Sequence, residues 1–94
     1  GRKILMRAVV TVMGTDKTGI IAKTSGLLAD NNVNILDITQ TILQDIFTMI
    51  MMVDIEKCKV GFKELSDKLE ELGNEIGVEI RIQHTDIFNS MHRI

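Results

Sequence analysis

The sequence contains no proline, no tryptophan, no tyrosine and a single cysteine among its 94 residues. Without proline, and without a Gly/Ser-rich stretch, nothing marks an internal boundary, so one domain is expected. Cys58 alone cannot form an internal disulfide, which fits a reducing, cytoplasmic setting and argues against a small secreted scaffold. The three aromatic residues are all Phe and the formal net charge is -2. Both facts argue against nucleic acid, whose recognition uses stacking rings and a basic surface. No apolar run approaches the ~18 residues of a membrane span, and the start lacks the ordered regions of a signal peptide. Residues Gly1 to Leu5 precede Met6, where patterning begins. They are read as a leftover of expression cloning, with 6–94 as the domain.

What is present is an ordinary globular composition, 45% apolar and 26% charged. A chain this short buries only about 60–65% of its unfolded surface, which favours pairing with a copy of itself.

Residues Arg7 to Met13 are β-branched and apolar and end at Gly14, the pattern of a buried strand. Between Thr18 and Asn32, Ile20, Thr24, Leu27 and Leu28 fall on one face of a helix. Asn31-Asn32 suits its exit. Val33 to Leu43 reads as a second strand, with Leu36, Ile38 and Ile42 on one face and Asp37, Thr39 and Thr41 on the other. After the polar break Gln44-Asp45, Ile46 to Ile55 completes a hairpin. Phe62, Leu65, Leu69, Leu72 and Ile76 form the apolar stripe of a second helix over Gly61 to Ile76, with Gly73 weakening its last turn. Val78 to Ile82 alternates as a fourth strand, and the tail from Ile87 to Ile94 suits a short helix anchored by Phe88 and Met91.

The order β-α-β-β-α-β, with short connections and right-handed crossovers, predicts an α+β fold. It is the ferredoxin-like βαββαβ sandwich, a four-stranded antiparallel sheet with both helices on one face. Met49, Met51 and Met52 fall on both faces of the third strand beside Phe47 and Ile50. The helices can cover only one face, so the other face is expected to need a second subunit.

Two stretches then resemble the signatures of ACT domains. Gly14-Thr15-Asp16-Lys17-Thr18-Gly19-Ile20 is similar to that family's ligand loop, and Asn32-Val33-Asn34-Ile35-Leu36-Asp37-Ile38 to its second signature. The resemblance covers nearly all of the chain from Met6, and is closest to stand-alone single-ACT bacterial proteins and the glycine-cleavage-repressor-like group. It implies a regulatory domain working as a homodimer, two sheets joined side by side, with a small amino acid or related metabolite at the interface. The contacts it implies are Asp16, Lys17, Thr18, Gly19, Ile20 and Ile21 of one copy with Asn34 and Ile35 of the other. In serine-sensing members the loop contact falls at Asp16 and the strand contact at Asn34. A second loop contact falls at Gly14, which has no side chain, and the proline often found before the second glycine is Thr18.

The residues support such a site on their own terms. The first turn of a helix beginning near Gly19 presents unpaired N–H groups and the positive end of the dipole, and so suits a carboxylate. Asp16 can accept from an ammonium group, and Asn34 of a partner can serve either end. A simpler reading makes Asp16 or Thr18 a helix cap, Gly19 an aid to the turn and Asn34 a strand-edge residue. A protein-interaction module without a small ligand is the alternative function.

Catalysis and cofactors have no motif. No serine has a Gly-x-Ser-x-Gly setting, and Gly14-x4-Gly19 lacks the Lys-Ser/Thr of a phosphate loop. His84 and His92, near Asp86, could hold a metal in the C-terminal region, a third reading, although they lack the spacing of a metal motif.

Overall fold

The computed structural model describes residues 6–15 and 19–85. Asp16, Lys17 and Thr18 of the loop lie outside them, as do His92 and the tail helix expected over Ile87 to Ile94. The elements run β1 (Arg7–Gly14), α1 (Ile20–Asp30), β2 (Asn34–Leu43), β3 (Ile46–Asp54), α2 (Phe62–Ile76) and β4 (Glu79–His84). The four strands form one antiparallel sheet in the order β2-β3-β1-β4. This is the expected ferredoxin-like arrangement.

Alternation along the two central strands builds the core. Ala8, Val10 and Val12 of β1 face the helices with Phe47, Met49, Met51 and Val53 of β3, and all are buried. Ile80 and Ile82 of β4 extend this layer beside Val12 and Val10. From above, Ile20 and Leu28 of α1 and Leu65 and Leu69 of α2 close it. Each such side chain contributes about 1.5–3 kcal/mol by leaving water. Phe47 belongs to this buried layer, so the one strand aromatic is unavailable for stacking a base.

Two expectations need correction. The β2 alternation breaks at a bulge: Ile35 pairs with Val53, Asp37 with Met52, and Leu36 is the extra residue between them. A bulge inverts the phase of everything before it. Ile35, not Leu36, therefore shares the helix face with Ile38 and Ile42. Gly73, read as a weak point, is buried where a Cβ would lie 2.6 Å from the Val78 carbonyl oxygen. It lets α2 and β4 approach closely. The left-handed residue that ends α2 is Gly77, at φ 78°.

Among the described residues, the sheet's other face carries no helix. Val9, Thr11 and Met13 of β1 lie there with Thr48, Ile50 and Met52 of β3. Ile50 is 46% exposed, whereas Met52 is half-buried. β3 is apolar on both faces, as the methionines suggested, but the threonines beside it make the uncovered face mixed rather than greasy.

Candidate functional site

The loop after β1 leads into α1 through Gly19, whose φ of 73° is left-handed. A Cβ on Gly19 would meet nothing nearer than Lys23 Cε at 4.0 Å, so its conformation, not lack of space, requires glycine. The Gly19 carbonyl accepts the Lys23 N–H at 3.0 Å, which starts the helix. Gly19 has no side chain with which to cap, and the first turn carries no acidic residue. No described side chain caps the N–H groups of Ile20 and Ile21, and the first turn of a helix suits an anion.

Gly14, the empty position of the loop, has a packing role. A Cβ there would lie 2.5 Å from Val78 Cγ1. No sequence signal could have shown this, because the two residues meet only through the β1–β4 pairing.

Within one copy Gly14 and Asn34 do not meet. Gly14 pairs near Phe47 at one end of the sheet, while Asn34 pairs with Asp54, which pairs with Arg7, at the other. The seven steps of β1 between those ends span about 23 Å. Ile20 is buried in the core, Ile21 is exposed, Ile35 is half-buried on the helix side, and Asn34 is exposed at the start of β2.

Among the described residues, β2 is an edge strand with no neighbour on its outer side. Its apolar residues are open to solvent: Ile38 is 39% exposed, Ile42 55% and Leu43 71%. Natural edge strands are usually blunted by charge or proline. The stretch from Ile38 to Leu43 carries neither.

The orientation of α1 extends this surface. Lys23, Gly26, Leu27 and Asp30 line a groove shared with Lys68, Glu71, Leu72 and Glu75 of α2. Ile21 and Ser25 fall on the opposite flank of α1 by helical phase.

A model of the ACT domain matches residues 6–83. The chain belongs to the ACT domain family. That family generally serves regulatory ligand binding, and its members commonly dimerise and bind amino acids. A UPF0237 protein of Methanocaldococcus jannaschii is 54% identical over 90 residues, covering 96% of this chain and all of that one. An ACT domain protein from Streptococcus pneumoniae superposes with a TM-score of 0.81 at 41% identity, over 90% of this chain and 96% of that one. The ligand-free regulatory subunit of aspartate kinase from Thermus thermophilus superposes with a TM-score of 0.62 at 27% identity, covering 85% of this chain and 52% of that one.

The other chemistries find little to build on. His84 stacks on Phe62, with ring centroids 3.9 Å apart and planes 22° apart, at the start of α2. Among the described residues no three His, Cys, Asp or Glu side chains cluster as metal ligands. Cys58 is half-buried and packs against the core. No helix of the described residues is long and apolar enough to cross a membrane.

Proposed function

We propose that this ACT domain is a regulatory sensor that works as a homodimer in the cytoplasm and holds a small amino acid or related metabolite between its subunits. One observation carries the reading. The Gly14–Gly19 loop and Asn34 lie at opposite ends of a sheet whose β2 edge is open and apolar. If two β2 strands pair antiparallel about a two-fold axis, the Asn34 end of each copy comes to the loop end of the other. Each dimer then has two equivalent sites.

In such a site the N–H groups of Ile20 and Ile21 receive a carboxylate, and Asp16, with Asn34 of the second copy, accepts from the ammonium. Lys17, Thr18, Gly19 and Ile35 of the second copy complete the walls. Regulation follows because a ligand bound across the interface favours the packing that it fits, in proportion to its differential affinity. The regulatory subunit among the structural relatives is in keeping with a domain that binds rather than catalyses.

The test is a thermal-shift screen of the amino acids on protein whose mass is measured by light scattering. A dimer stabilised by one amino acid in a concentration-dependent manner supports the reading. Asp16→Ala and Asn34→Ala should each abolish the shift. A monomer at micromolar concentration, or normal binding by both variants, overturns the site. A dimer that responds to no amino acid favours the interaction module instead, for which the exposed Leu43 at the hairpin tip is the natural contact.

A further inference from the structure

We infer that the uncovered face of the sheet holds a second binding site, for a small aliphatic carboxylate anchored on Arg7. The site is separate from the one proposed at the subunit interface and does not depend on it.

A cavity of about 400 Å³ opens on that face, over the two central strands. Small-molecule pockets run from about 300 to 1,000 Å³ and are mostly apolar with a few polar groups. Strand register sets the layout. Val9 forms the floor between its two direct partners, Met52 of β3 and Gln83 of β4. Thr11 and its partner Ile50 form one end. Arg7 and Thr85 form the other, where the Thr85 hydroxyl donates to the Arg7 carbonyl at 3.1 Å and ties β4 to β1. Four strand steps separate Arg7 from Thr11, about 13 Å.

Charge decides the class of ligand. Among the described residues, Arg7 is the only charged one lining the cavity, and it forms no ion pair. Asp54 is its strand partner, but an Asp54 carboxylate oxygen accepts the Glu56 N–H at 3.0 Å. Asp37 lies on β2 beyond Met52, outside the lining, and Arg81 is paired with Glu79. One guanidinium suits a monoanion, and it takes a carboxylate through two parallel N–H groups. No aromatic ring lines the described cavity, so a nucleobase has nothing to stack on. No carboxylate lines it either, so the ammonium of an amino acid would meet Arg7 without a counter-charge. The class that fits is a carboxylate with a plain hydrocarbon chain, laid along Val9, Met52 and Ile50. The cavity is open on one side, so each methylene gains about half of full burial, roughly twofold in affinity.

The experiment is a titration of the isotope-labelled full chain with sodium butanoate, hexanoate and octanoate, followed by the amide resonances, with octan-1-ol and L-leucine as controls. The amides of Val9, Thr11, Met52 and Gln83 should shift saturably, with octanoate binding about tenfold more tightly than butanoate. Octan-1-ol should bind about fivefold more weakly than octanoate, and L-leucine should leave these amides unmoved. Arg7→Gln should lower octanoate affinity about fivefold without changing that of octan-1-ol. Ile50→Thr should reduce the advantage of octanoate over butanoate at least twofold. Both side chains are exposed, so neither variant endangers the fold. Absence of saturable shifts at these amides, equal octanoate binding by Arg7→Gln, or equal shifts with L-leucine overturns the site. So does a mass above the dimer by light scattering that falls in Ile50→Lys, because a second copy would then occupy the face. None of these results bears on the interface site, whose own readouts are Asp16→Ala and Asn34→Ala.

Discussion

Gly73 accepts the Val78 N–H through its carbonyl at 2.9 Å, and in the same contact leaves no space for a Cβ beneath the Val78 carbonyl oxygen. Val78 also occupies the space above Gly14. One residue just before β4 thus fixes the end of α2 and the end of β1 together, immediately beside the loop.

Gly73→Ala should destabilise the protein by about 1–3 kcal/mol, because the contacting atom is backbone and cannot rotate away. Chemical denaturation should show a lowered midpoint with an unchanged slope. Gly14→Ala meets a side chain instead, and should cost less than Gly73→Ala.

Gln44 starts the two-residue turn between β2 and β3 with a φ of 56°. A non-glycine residue pays for that conformation, whereas glycine adopts it freely. Gln44→Gly should therefore stabilise the hairpin by about 0.5–1 kcal/mol, read as a higher melting temperature. Gln44→Val should lower it.

The Thr24 hydroxyl is fully buried on α1 and has no hydrogen-bond partner among the described residues. Replacing it with a methyl group of the same shape removes an uncompensated polar burial. Thr24→Val should be neutral or stabilising by about 1 kcal/mol in denaturation. A loss of 1 kcal/mol or more would show that the hydroxyl has a partner.

Ile38 and Ile42 provide the exposed apolar surface of the β2 edge. Lysine at both positions, Ile38→Lys with Ile42→Lys, should give a monomer by light scattering while circular dichroism still shows the folded domain. Charge on an edge opposes strand pairing and leaves the core layer of β1 and β3 untouched. A dimer unchanged by the double variant would place the interface elsewhere.

The fold was legible in the sequence because its signals are local. The stripe from Phe62 to Ile76 has helical spacing, and Val78 to Ile82 alternates with the period of a strand. Two features were not legible. The bulge at Leu36 depends on which β3 residue each β2 residue meets, and the adjacent apolar pair Ile35-Leu36 fits either phase until that register is known. The packing of Gly14 and Gly73 against Val78 depends on contacts between distant elements, so glycine could be read there only as a turn former or a weak point. The candidate site was legible in part. Motif spacing gave the loop and Asn34, but their separation within one copy emerges only from the strand register.

That separation has a thermodynamic consequence. A ligand that requires both ends of the sheet cannot be bound fully by a lone chain, so its binding is linked to association. Its apparent affinity then rises with the concentration of the protein and weakens on dilution. A sensor built this way measures two quantities at once, the level of its metabolite and the abundance of its own copies.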